Sequence, residues 1–274
     1  MRRKLQDMKR DLATLSRRFL VTACLAEVAL APAWVRPEPT AAATAAFNSY
    51  IESAEAKLGR MHASASGFLA PVDGVRLHHG DLIIEELTPA GGKDLGGALL
   101  HDWRGTAFAP GATTADFERI MRDFASYPKH FAPQVVQARV LAQQGDRYQV
   151  KMRVRQQHIL TVVMDTTYDV TFARLDPLHG YSVSRSTRVA EIDAPGTGHE
   201  RALAPNEDHG FLWRMNTYWS YEERDGGLYI QVESVSLSRS VPVGLGWAIG
   251  PFIESVPRES LEFTLRSACD ALRR

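Results

Sequence analysis

Cysteine is almost missing from this chain. Two residues in 274, Cys24 and Cys269, cannot build a disulfide framework, and neither lies in a C-x-x-C pair of the kind that holds zinc or exchanges thiols. Net charge is missing too, since 32 Lys and Arg balance 32 Asp and Glu. A chain with no basic excess has little to offer a phosphate backbone, so no nucleic-acid partner is expected. The nine histidines include no H-E-x-x-H or H-x-H pair, there is no G-x-S-x-G elbow, and "GLGWAIG" lacks the G-x-G-x-x-G spacing. Asp165 and Asp169 fall on one face of a strand but too far apart for paired-carboxylate chemistry, and are read as solvated near a turn. These absences lead to an expectation of no catalytic centre, no metal and no cofactor.

Long apolar runs are absent as well. The best candidate, Phe19 to Val35, is broken by Glu27 and Pro32 and is short for a bilayer span. It follows a basic stretch: residues 1 to 36 hold eight Lys and Arg against three acids, which leaves the remainder mildly acidic. Basic run, apolar run and then "RPEPTAAATAA" with small residues read as an export segment cleaved after about Ala43. "SRRFL" resembles a twin-arginine signal and "VTAC" a lipoprotein box at Cys24. The expected location is therefore the periplasm or cell envelope; the alternative is an amphipathic helix of a cytoplasmic protein.

What is present divides the chain into a leader and linker (1–43), an extension (44–96) and a main domain (97–274). The extension begins with the helical, alanine-rich "AFNSYIESAEAKLGRMH" and continues to a short hairpin around "VRLHHGDLIIEEL". From Gly97 the punctuation becomes regular. "GALLHDWRGTAFAP" reads as a strand, and "TTADFERIMRDFASY" as a Thr-capped helix with Phe117, Ile120, Met121 and Phe124 on one face, ended by Pro128. Six strand-like runs follow, at 134–143, 147–155, 158–172, 180–192, 210–222 and 228–239, joined by "QGD", "RLDPLHG" and "RDGG" turns. A last helix starts near Pro257, with Leu261, Leu265, Ala268 and Leu272 as its apolar stripe and Cys269 as a small buried hydrophobe. The fold class is α+β: a long antiparallel sheet must bury that stripe.

The helix ending in "D-x-x-x-Y-P" (Asp123, Tyr127, Pro128), the meander, and the join "LSRSVP…VPRESLEFTL" resemble the START-like superfamily of helix-grip carriers, with its polyketide cyclase-like and coenzyme Q-binding branches. The resemblance covers residues 97 to 274. It implies a curved antiparallel sheet wrapped around the C-terminal α-helix, a cavity between them, and a lipid, isoprenoid, quinone or polyketide-like ligand with no catalytic centre.

One hairpin, "GFLWRMNTYWSYEERDGGLYIQVESVSL", is unusually aromatic. Alternation puts Phe211, Trp213, Met215, Trp219 and Tyr221 on one face, and Arg214, Asn216 and Tyr218 on the other. A two-residue Asp225-Gly226 turn pairs Trp219 with Val232 and Tyr221 with Ile230 on the apolar face, and Tyr218 with Glu233 on the polar one. The first set, joined by Trp247 and Phe252 from the glycine-rich segment 240–257, forms the candidate pocket wall. That segment is read either as a lid touching membrane transiently or as a buried connection. The polar set Arg214, Asn216, Tyr218 and Glu233 is read either as a solvated convex face or as groups orienting a ligand. Binding or transport of a hydrophobic small molecule or lipid is the expected function. The alternatives are a cyclase- or hydrolase-like enzyme acting through His158, His209 or Arg214, and a structural envelope protein whose cavity is filled by its own side chains.

Overall fold

Turn chemistry and strand alternation produce the sheet in the computed structural model, which describes residues 38–157, 161–240 and 246–273, the side chains of 246–255 excepted. Residues 1–37 of the leader lie outside those residues, as does His158, whereas Ala41–Ala43, placed at the end of the leader by the sequence, already belong to the first helix. Strands β3 (Ala98–Pro110), β4 (Val135–Gln144), β5 (Arg147–Gln157), β6 (Thr161–Asp176), β7 (His179–Asp193), β9 (Arg214–Arg224) and β10 (Gly227–Arg239) form an antiparallel meander closed by β3 against β10. Short strands β1 (Ile83–Glu86) and β2 (Lys93–Asp94) extend it beyond β3, and β8 (Arg201–Ala202) pairs with β7. The strand order is β1-β3-β10-β9-β7-β6-β5-β4.

The aromatic hairpin takes the two-residue turn. Arg224 pairs with Gly227, Trp219 with Val232 and Tyr218 with Glu233. Asp225 (φ 56°) and Gly226 (φ 76°) both sit in the left-handed region, which that tight turn requires and which Asp and Gly tolerate.

Helix α1 (Ala41–Met61) is capped by Thr40, whose hydroxyl accepts the Ala43 N–H at 3.1 Å. Its stripe of Ala43, Phe47 and Leu58 packs on Leu100, Tyr218, Val235 and Leu237, which closes the outer face over β3, β9 and β10. Helix α5 (Gly246–Leu272) lies on the inner face, with Leu261, Leu265 and Ala268 in one core with Trp103, Trp219, Ile230 and Val232. Sheet and gripped C-terminal helix make this a helix-grip α+β fold.

Three local expectations need correction. Helix α5 begins at Gly246, so Pro257 is internal; a proline removes one backbone bond without forbidding the helix to continue. Pro128 does not end the preceding helix. Thr113 and Asp116 form a reciprocal cap for α3 (Thr114–Arg122), the chain breaks at Asp123, and Pro128 occupies the first turn of a new short helix, α4 (Tyr127–His130). The stretch read as a hairpin around "VRLHHGDLIIEEL" is instead a one-turn helix, α2 (Gly74–His78), and strand β1, which finds its partner in β3.

Candidate functional site

The two faces of the sheet differ in what covers them, and this decides where a ligand has room. Near the chain-reversing turn of β9 and β10 the inner face is solid core. Trp219 and Tyr221 are buried against Phe117 of α3, at ring separations of 5.5 and 4.9 Å, and the Tyr221 hydroxyl donates to Glu118 at 2.7 Å. Gly180 lies so close to the Tyr221 ring that a Cβ there would come within 2.3 Å of it.

At the opposite end the pattern inverts. Outward-facing Asn216, Tyr218, Val235 and Leu237 are buried beneath α1, whereas inward-facing Met215, Thr217, Ser234 and Ser236 are only half-buried. Ser184 and Ser186 of β7, which face Val170 and Tyr168 of β6, are half-buried as well. The half-buried positions therefore gather at this end of the inner face, next to the buried rings of Trp219, Trp103 and Tyr168. The Ser260 side chain of α5 accepts from Gln156 Nε2 at 3.2 Å, tying the helix to the far end of β5. Burial pushes the Tyr168 hydroxyl up to about 12, and its partner is the Met215 sulfur at 3.8 Å.

Among the described residues, two polar side chains at this end have no hydrogen-bond partner. Trp103 Nε1 and both ring nitrogens of His101 are buried without a hydrogen bond, although His101 is 2% exposed and Trp103 9%. Burial lowers the His101 pKa. Gly92 flanks the imidazole closely; a Cβ there would meet His101 Cε1 at 2.7 Å.

The polar set of the hairpin lies on the outer face, where α1 covers all but Arg214. It forms a buried network and is not a solvated surface. Glu233 accepts from Arg104 Nη2 at 3.0 Å, Tyr50 donates to Asp102 at 2.7 Å, and the Tyr218 hydroxyl donates to Glu55 at 3.0 Å while accepting from Asn216. Burial, reinforced by Glu233, raises Asp102 to about 7. Arg214 is exposed, its guanidinium donating to the Trp213 carbonyl at 2.9 Å.

Of the aromatic set, Met215, Trp219 and Tyr221 share the inner face, but Trp213 does not. Its N–H donates to the Leu237 carbonyl at 2.8 Å, one residue out of step with the ladder that begins at Arg214, so the indole turns outward into the α1 cluster and donates to Asp208 at 3.3 Å. Phe211 is 43% exposed in the loop before β9. The side chains of Trp247 and Phe252 lie outside the described residues. Glu191, opposite Met164, also faces inward, but its carboxylate accepts the N–H groups of His209 (3.0 Å) and Phe211 (3.1 Å) and lies 2.7 Å from His209 Nδ1. Burial, with Glu191 nearby, raises Asp208 to about 6.

Asp165 is not solvated near a turn: Lys151 and Arg153 bridge it at 2.8 and 2.7 Å, beside a pocket of about 290 Å3 bordered by Gln137 and Arg139. Among the described residues no group of three His, Cys, Asp or Glu could hold a metal ion, and no helix is long and apolar enough to cross a membrane. Sequence reasoning missed His101, Trp103 and the serines. Their signal was the alternation in "SVSRS" and "SVSLS", where every second residue is a small hydroxyl on the inner face.

No family model matches the sequence, and no curated protein matches it. Solved structures similar to it include a Thermus thermophilus protein, at TM-score 0.45 and 12% identity over 62% of this chain and 94% of that one. A STAR-related lipid transfer protein from Xanthomonas axonopodis overlays at TM-score 0.43 with 17% identity, covering 66% of this chain and 97% of its own. The Zhui aromatase/cyclase from a Streptomyces species overlays at 0.43 with 14% identity, over 64% and 94%. The fold assignment stands on strand order and the gripped helix, and does not depend on these overlays.

Proposed function

We propose that the chain binds an apolar small molecule, lipid or isoprenoid in the recess between α5 and the inner face of β7, β9 and β10. The observation that carries this reading is the inverted burial. Where these strands would bury their inner face in a filled core, Met215, Thr217, Ser184, Ser186, Ser234 and Ser236 stay half-buried while the outer face of β9 and β10 is sealed beneath α1. A groove floored by Trp219 and Trp103 and walled by methionine suits an apolar body, each 100 Å2 of which contributes roughly 2.5 kcal/mol on leaving water. In this proposal the export segment delivers the carrier to the periplasm or envelope, and its lipid cargo brings it to a membrane transiently.

The enzymatic alternative has less support. Arg214 points away from the recess, and the carboxylate beside His209 is occupied in fixing the loop that leads into β9.

Thr217→Trp tests the reading, because it fills the recess from a half-buried position. Wild-type protein purified under native conditions should release a stoichiometric apolar compound into organic extract, read by mass spectrometry. The variant should release none while melting within a few degrees of wild type. An empty extract from folded wild-type protein, or an equal yield from the variant, would sink the assignment.

A further inference from the structure

The unpartnered nitrogens of β3 say what the occupant carries. His101 and Trp103 are two residues apart on one strand, so both rings leave the same face, and their cross-strand partners are Ser236 and Ser234 of the recess. An indole N–H only donates, and a neutral imidazole always keeps one N–H. A buried N–H without an acceptor costs roughly 1–3 kcal/mol, and here two stand on one strand face. The serine hydroxyls opposite them do not satisfy either one.

Charge in the neighbourhood narrows the acceptor. Arg104, next to Trp103 in sequence, points to the outer face and is held there by Glu233. The residue paired with Trp103 on β1 is Glu86, a carboxylate, which disfavours an anion beside the indole. Burial lowers the His101 pKa, which favours the uncharged ring. Two neutral donors flanked by a carboxylate suit an uncharged oxygen.

We propose that Trp103 and His101 form a polar subsite at the inner end of the recess, and that it takes a ketone- or ester-type carbonyl oxygen of an otherwise apolar ligand. This rests on the recess being the binding site. The subsite orients the ligand: the apolar body lies along Met215 and Trp219, and the oxygen points at β3. Gly92 belongs to the same device, because only a residue without a side chain leaves His101 its place at the sheet edge.

Three probes of one ring system separate the claims: 2-acetylnaphthalene, 2-ethylnaphthalene and 2-naphthoate, titrated into the full chain by calorimetry. The ketone should bind about tenfold more tightly than the hydrocarbon, the equivalent of roughly 1.4 kcal/mol, and the naphthoate more weakly than the ketone. Trp103→Phe, and separately His101→Leu, should each shrink the ratio of ketone to hydrocarbon affinity to about twofold or less, the ratio and not the hydrocarbon affinity being the quantity read. Equal binding of ketone and hydrocarbon by wild type, a preference that survives in both variants, or tighter binding of naphthoate overturns the subsite while the recess stands. Failure of all three probes to bind overturns the recess and the subsite with it.

Discussion

Asp102 shows most directly how burial and charge conflict in this molecule. Its carboxyl is 2% exposed, accepts from Tyr50 through one oxygen, leaves the other without a partner, and shares the outer face with Glu233. Burial first, and Glu233 second, raise it to about 7. Below about pH 4 it is protonated in folded and unfolded chains alike. As pH rises towards 7 the unfolded chain ionises first, so stability is lost through that window and no further beyond it. Asp102→Asn carries no such proton. Wild-type stability minus that of the variant should therefore fall between about pH 4 and 7, by up to roughly 1.4 kcal/mol per pH unit. The difference is the quantity to measure, by denaturant melts across that range. Asp208, raised to about 6, acts in the same direction and His62, lowered by burial to about 4, in the opposite one, and both cancel between the two proteins. A difference that stays flat with pH would show that Asp102 ionises normally in the folded chain. None of this was legible in the sequence. Asn216, Tyr218 and Glu233 could be placed on one face by alternation, but what covers that face is a helix more than 150 residues earlier in the chain.

At the scale of elements, α5 and β3 meet at a glycine. A Cβ on Gly105 would lie 2.5 Å from Leu265 Cδ1, 3.0 Å from Ile84 Cδ1 and 3.1 Å from Leu261 Cδ2. The helix is gripped closely here because one strand residue has no side chain. Gly105→Ala should cost about 1–3 kcal/mol by overpacking, and Leu265→Ala combined with it should cost less than the sum of the two single changes. Additive losses in that cycle would mean the helix does not bear on this strand position. The apolar stripe of α5 was readable from its spacing, and so was the burial of Cys269, whose thiol is pushed up to about 11 by desolvation. The helix start was not, since a proline suits a first turn best and Pro257 sits where the helix simply runs on through it. The hairpin was read best, because the Asp225-Gly226 turn and the apolar pairing of Trp219 with Val232 point to one register. Trp213 escaped that reading because alternation holds only within a regular ladder, and the ladder starts one residue later.

For the whole molecule, three layers assign separate tasks to the two faces of one sheet. The outer face, where α1 lies on it, carries a polar and apolar mixture that is sealed; the inner face, under α5, carries the core at one end and the proposed recess at the other. The aromatic hairpin suggested a pocket walled by large rings, yet Trp219 and Tyr221 became floor and core because α3 supplies Phe117 to pack on them. Half of the candidate site was thus legible as a face, and its open part was hidden in serines whose small size looked ordinary. This division of labour has a consequence that separates stability from binding. Phe47 is 3% exposed between Leu100, Trp213 and Leu237, so Phe47→Glu buries a charge against an apolar face and should displace α1 at a cost of about 3 kcal/mol or more. Limited proteolysis should then cut first within residues 38–62, and an apolar dye should bind the newly bared outer face. The recess touches none of these residues. Affinity for 2-acetylnaphthalene should accordingly stay within about twofold of wild type at a temperature where the variant remains folded. A parallel loss of dye protection and ketone binding would show instead that α1 shapes the inner face through the sheet, and that the two layers are coupled.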